Sequence, residues 1–212
     1  MKADEVARYL RENPGFFEEY AHMLAEIYIP HPHGGRAIPL SDRQVLSLRE
    51  KNKALEARLS ELLRFGEEND AIGEKLHRLC VALLAASDPQ TLLAALYYNL
   101  REDFAVPHVA LRLWRGDGEG KEFAQVSSEL KQHATALAQP FCGPSQLPEV
   151  VAWFGDASSH VRSMAHIALK EGECFGMLAL GSEDVLRFYP EMGTLYLKRL
   201  GELVSAALAR FY

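Results

Sequence analysis

The chain has 212 residues, and 23 basic against 29 acidic side chains leave a formal net charge of −6, with 48% apolar and 25% charged residues, the composition of a soluble folded protein. An acidic balance with no lysine/arginine block argues against nucleic-acid binding as the main business, because phosphate contacts need a concentrated basic footprint. No apolar run reaches the roughly 18 residues that cross a bilayer, and Met1-Lys2-Ala3-Asp4-Glu5 offers no signal core, so a cytoplasmic protein without membrane contact is expected.

Val6 and Leu10, then Phe17, Tyr20, Leu24 and Ile27, recur at helical spacing around a break at Asn13-Pro14-Gly15, which predicts two short helices. Residues 29–39 hold three prolines and two glycines, predicting a loop or extended linker that closes an N-terminal region over residues 1–40. His31 and His33 there could hold a metal with His22, but two histidines at i, i+2 around a proline supply only half a coordination sphere, with no acid or cysteine beside them, so no metal is expected.

Ser41-Asp42 is an N-cap signal for a long helix free of proline and glycine to about Phe65. With Val45 at heptad position a, Leu48 falls at d, Asn52 at a, Leu55 at d, Leu59 at a and Leu62 at d. That narrow seam asks for a partner helix, and a lone amide at an a position is satisfied by its twin across a parallel homodimer. Lys51 at g would face Glu56 at e of the second copy, a pair worth about 0.3–0.5 kcal/mol that sets orientation more than stability. The competing possibility is an amphipathic helix packed on its own domain. Gly66, Asn69 and Gly73 occupy the next core positions, so the coiled coil, residues 41–70, is expected to loosen or end near residue 66.

A mixed domain is predicted over residues 71–212. Ile72, Leu76, Leu79, Cys80, Leu83 and Leu84 share a helical face, and Ser87-Asp88-Pro89 caps a helix carrying Leu92, Leu93, Leu96 and Leu100. Residues 106–114 alternate as a strand and, through a glycine-rich turn, are expected to form a hairpin with residues 122–126. A helical stretch at 128–138, an irregular run from Gln139 and a short apolar piece at 150–154 come next. Strands at 163–169 and 174–181 should pair antiparallel about Lys170-Glu171-Gly172-Glu173, and Tyr189-Pro190 opens a closing helix. The fold class expected is α+β, an antiparallel sheet with flanking helices, preceded by a helical region and a parallel coiled-coil helix.

The words Phe175-Gly176-Met177-Leu178-Ala179-Leu180-Gly181-Ser182 and Arg187-Phe188-Tyr189 before a long terminal helix resemble the last strand and closing helix of a GAF domain. Tyr9-Leu10, Asn13-Pro14-Gly15-Phe16-Phe17, Ile29-Pro30-His31-Pro32, Arg43-Gln44-Val45, Leu48-Arg49-Glu50, Glu68-Asn69-Asp70 and Met192-Gly193-Thr194, in this order, resemble the bacterial DUF484 family. That resemblance implies a helical N-terminal region, a coiled coil and a GAF-like domain, with no established activity. GAF-like domains in general bind small molecules, mediate dimers or pass a signal between helices at their two ends.

A GAF-like pocket would be lined here by Arg112, Phe141, Cys142, Trp153, Phe154, His166 and Arg187, aromatic walls with a few polar groups. The same aromatic residues could equally be ordinary core. The sequence lacks the Asn-Lys-Phe-Asp-Glu word of cyclic-nucleotide-binding GAF domains and has no cysteine followed by histidine for bilin attachment. Cys142, ahead of Gly143-Pro144, could be an accessible thiol, and some GAF-like proteins are cysteine-dependent methionine-sulfoxide reductases. Cys80 and Cys174 read as packing residues, which leaves such an enzyme without a resolving partner.

No Gly-rich phosphate cradle, nucleophile elbow or His-Glu-x-x-His word occurs, so neither catalytic residues nor a cofactor are expected. The reading is a non-catalytic sensor or interaction protein, its partners being a second copy of itself, a small molecule and a protein. A ligand would act by shifting the packing of the terminal helices. The alternatives are a ligand-free dimeric scaffold and a thiol-dependent redox enzyme.

Overall fold

The computed structural model describes residues 2–29, 38–116, 118–144 and 147–212. The chain divides into two compact units, residues 1–68 and 69–212.

In the N-terminal unit, α1 (Ala3–Glu12) is closed at its start by the Lys2 backbone N–H donating to Glu5 Oε2 at 2.9 Å and at its end by Asn13 Nδ2 donating to the Tyr9 carbonyl at 2.9 Å. Pro14 and Gly15 then separate it from α2 (Phe16–Glu19) and α3 (Ala21–Glu26), as the sequence predicts. The ends of the expected linker are extended. β1 (Tyr28–Ile29) pairs antiparallel with β2 (Ile38–Pro39), while residues 30–37, with His31 and His33, lie outside the described residues.

Helix α4 (Leu40–Ala85) is one helix of 46 residues that runs on past Phe65, the expected end, through Gly66, Asn69 and Gly73. A glycine in a helix costs about 1 kcal/mol relative to alanine, too little to stop a helix whose neighbours are Glu67, Glu68, Ala71, Glu74 and Lys75. Arg64 and Glu68 form an i,i+4 ion pair at 3.2 Å across Gly66, bracing that turn.

In the C-terminal unit, α5 (Pro89–Glu102) starts at the predicted cap, with Asp88 accepting from the Thr91 backbone N–H at 2.8 Å and from its hydroxyl at 2.6 Å. The remaining elements are β3 (His108–Leu113), α6 (Ser128–Ala136), β4 (Phe141–Gly143), α7 (Pro148–Ala152), β5 (Ser163–Glu171), β6 (Glu173–Ser182) and α8 (Leu195–Leu208). Among the described residues these strands form one antiparallel sheet in the order β3-β6-β5-β4. β5 and β6 meet at a tight turn in which Gly172 takes φ +71, a conformation that favours glycine.

The expected hairpin of residues 106–114 with 122–126 is not formed, because β3 pairs with β6 and residues 121–123 make a 3₁₀ turn. The reason lies in side chains that alternation does not register. Glu122 is buried and accepts the Tyr97 hydroxyl at 2.8 Å, and the Phe123 ring meets Tyr212 with centroids 5.2 Å apart. α8 starts at Leu195 rather than at Tyr189-Pro190, because residues 183–194 form a loop with Phe188 buried in the core and its N–H bonded to Ser163 Oγ at 3.3 Å.

Register fixes what each sheet face carries. Val109, Leu111, Ala165, Ile167, Leu178 and Leu180 share one face and pack with Leu79 of α4, Leu96 of α5 and Val204 of α8. Ala110, Arg112, His166, Met177 and Ala179 share the other face, where Met177 and Ala179 pack with Leu130 and Ala134 of α6 and Val150 of α7. Each fully buried leucine contributes about 1.5–3 kcal/mol, and the face under α4, α5 and α8 holds most of the unit's buried leucines.

α8 approaches β5 so closely that a Cβ on Gly201 would lie 2.6 Å from Ile167 Cγ2, a branch atom of a buried residue. Gly201→Ala is therefore expected to destabilise the C-terminal unit by about 1–3 kcal/mol, measured as a lower midpoint in thermal or urea unfolding.

Candidate functional site

The α6–α7 face of the sheet brings together five of the seven pocket residues named from sequence. Arg112 is half-buried on β3. Its guanidinium lies 4.9 Å from the centroid of the Trp153 ring, its Nη1 donates to the Leu111 carbonyl at 2.9 Å, and it makes no ion pair among the described residues. Burial pulls its pKa below the usual guanidinium value, an effect opposed by Tyr97, Glu122 and Glu149. Phe154 packs against His108, with centroids 6.1 Å apart, where β6 presents Gly181.

His166, on β5, is 1% exposed. Phe141 of β4 is paired with it in register and the two rings lie 5.1 Å apart, while His133 of α6 meets it in a T-shaped contact at 5.8 Å. Neither nitrogen of His166, nor Nε2 of His133, has a hydrogen-bond partner among the described residues. A buried polar atom left unpaired costs about 1–3 kcal/mol, so these three nitrogens are an unsatisfied polar feature of this face among the described residues. Burial, reinforced by the neighbouring His133, lowers the His166 pKa to about 4, which makes the ring neutral at pH 7 and able to accept and donate one hydrogen bond each. Ala110 and Ala179 give the surrounding sheet a floor without bulk.

Cys142 and Arg187 are placed elsewhere. Cys142 lies in β4, not in an irregular loop, and pairs with Ala165 on the helix-covered face, because adjacent strand residues point to opposite sides. It is buried, which pushes its thiol up to about 11, and burial likewise raises Cys174. All three cysteines are free. Arg187 stands in the loop after β6 and donates from Nη2 to the Phe104 carbonyl at 2.6 Å. His133 escaped the sequence reading, although it stands three residues after Leu130 and next to Ala134 on the buried stripe of α6, where a polar residue is the exception. No group of three or more potential metal-ligating side chains occurs among the described residues.

In the N-terminal unit the heptad residues of α4 keep their side chains in solvent. Val45, Leu48, Leu55, Leu59 and Leu62 are between 46% and 66% exposed, and Asn52 Nδ2 donates to Glu56 Oε1 of the same helix at 2.9 Å.

The model of the family described as "Protein of unknown function, DUF484" matches residues 1–212. The chain belongs to this family. YigA of Salmonella typhimurium, whose printed name calls it uncharacterized, is 24% identical over 215 residues, covering 97% of this chain and 90% of that protein. Among solved structures, the chain is similar to a free methionine-R-sulfoxide reductase from Neisseria meningitidis in complex with its substrate, at 19% identity and a TM-score of 0.48 over 65% of this chain and 88% of that one. It is also similar to the GAF domain of A. aeolicus nlh2 in an inactive state, at 12% identity and a TM-score of 0.49 over 67% of this chain and 98% of that one. The α+β class, the antiparallel sheet and the flanking helices agree with the expectation from sequence. Among the described residues no helix is long and apolar enough to cross a membrane.

A histidine whose folded pKa is depressed favours folding above its unfolded pKa and loses that contribution as the pH falls. Between pH 6.5 and about 4 the unfolded chain takes a proton at His166 that the folded chain refuses, so stability falls through this window. His166→Phe is expected to narrow the difference between urea midpoints measured at pH 7 and pH 4.5.

Proposed function

We propose that this DUF484 protein is a non-catalytic, cytoplasmic sensor or interaction protein that dimerises in parallel through residues 45–62 of α4 and binds a small molecule on the α6–α7 face of a GAF-like domain. The observation that carries this reading is the α4 seam, a 3–4 alternation of large apolar residues in solvent with one amide at an a position. Water is a poor neighbour for five such side chains, and a second copy in the same direction buries them and lets the two Asn52 amides meet. The small-molecule part rests on the unpaired nitrogens of His166 and His133 beside the Arg112–Trp153 stack.

A ligand bound there would act by favouring one packing of the helices around the sheet, and α4 offers a route to the N-terminal helices and their protein partner. Deep burial of Cys142, with a thiol pKa near 11, speaks against a thiolate nucleophile at neutral pH. A second reading, a scaffold without a ligand, draws on the packing of the same sheet face, where Met177, Ala179 and Val150 are completely buried.

Native mass spectrometry of the freshly purified full chain tests both parts. A dimer is expected, with an adduct on the sensor reading and without one on the scaffold reading. Leu55→Glu removes a buried leucine from each protomer, about 3–6 kcal/mol per dimer, and is expected to give a monomer at micromolar concentration. Asn52→Cys, with the native cysteines replaced by serine, is expected to form an interchain disulfide on mild oxidation. A monomeric wild-type chain, or a dimer in which position 52 fails to cross-link, overturns the parallel pairing.

A further inference from the structure

Across the sheet from His166, the helix-covered side of the C-terminal unit contains a second concavity, a recess of about 470 Å³ between α4, the end of α5, the start of α8 and the loop after β6. Sites for small molecules run from about 300 to 1,000 Å³. The interior is hydrocarbon: Leu76, Leu100, Leu180, Leu197 and Leu200 line it, all buried. The mouth is polar, with Lys75, Arg187, Asp184 and Tyr196.

Two cations, Lys75 and Arg187, stand there against one carboxylate, Asp184. The Asp184 carboxylate accepts the Leu186 backbone N–H at 2.9 Å, and Arg187 donates from Nη2 to the Phe104 carbonyl, which fastens the loop to the end of α5. Lys75 is half-buried and forms no ion pair among the described residues, and a lysine so placed can lay its stem on apolar surface with its ammonium in water. An apolar chamber with two cations at its entrance matches a molecule with a hydrocarbon body and one anionic end.

We propose that this recess binds a free medium-chain carboxylate, its chain among Leu76, Leu180 and Leu197 and its carboxylate between Lys75 and Arg187. The site is separate from the His166 face and does not depend on the sensor reading. It also gives Arg187, grouped with the sheet-face residues from sequence, a place of its own.

The test titrates the full chain, with ¹³C-labelled leucine and valine methyls, with [1-¹³C]decanoate below its micellar concentration. One saturable site per chain is expected, with shifts at the methyls of Leu76, Leu197 and Leu200 and none at Leu130 or Val150. Affinity should rise about fourfold per methylene from octanoate to decanoate. Decanol should bind at least tenfold more weakly than decanoate, and Lys75→Gln, at a side chain outside the core, should weaken decanoate at least tenfold while leaving decanol unchanged. Lys131→Gln, at an exposed lysine of α6 on the opposite face, should leave decanoate binding unaltered. Absence of saturable binding, shifts confined to Leu130 and Val150, or equal affinity for decanoate and decanol would each overturn the proposal.

Discussion

The C-terminal unit depends on β6 being hydrogen-bonded on both sides and buried on both faces. β3 and β5 pair with it along nearly its whole length, and residues 175–180 are all buried. A strand in that position cannot alternate apolar with polar, and its sequence, Phe175-Gly176-Met177-Leu178-Ala179-Leu180, does not. Gly176 is part of the same constraint, since a Cβ there would meet Leu113 Cδ2 at 2.8 Å and the Arg112 carbonyl at 2.9 Å. Each face then becomes a separate problem of cover. Leucines of α4, α5 and α8 cover one, and α6 and α7 cover the other, where His133 of α6 meets His166 of β5.

Local pattern made β5, β6, α5 and their turn and cap legible, because those signals are confined to neighbours in the chain. Pairing is not. Residues 106–114 read correctly as a strand, but the partner is β6, some seventy positions further on, and only the buried contacts of Glu122 and Phe123 reveal why the nearer segment is not used. The uninterrupted α4 shows the opposite error, in which two glycines were given more weight than their modest helical penalty supports.

For the candidate site, residue types were readable while the side of the sheet was not. Phe141 and Cys142 are adjacent in sequence and face opposite ways, so one reaches His166 and the other joins the leucine core. Arg187 follows a loop whose path depends on Ser163 holding Phe188, a contact between residues 25 positions apart. His133 was hidden because a histidine on a short helix gains meaning only when a second one lies opposite it.

The Arg112 guanidinium, besides resting on Trp153, occupies the Leu111 carbonyl at the outer border of the sheet, where the 3₁₀ turn of residues 121–123 also packs. At the opposite border β4 offers only three residues. Lateral growth by adding a strand from another molecule is thereby hindered at both margins, which protects the sheet from templated aggregation. A substitution at Arg112 would uncover that border as well as alter the neighbouring ring stack.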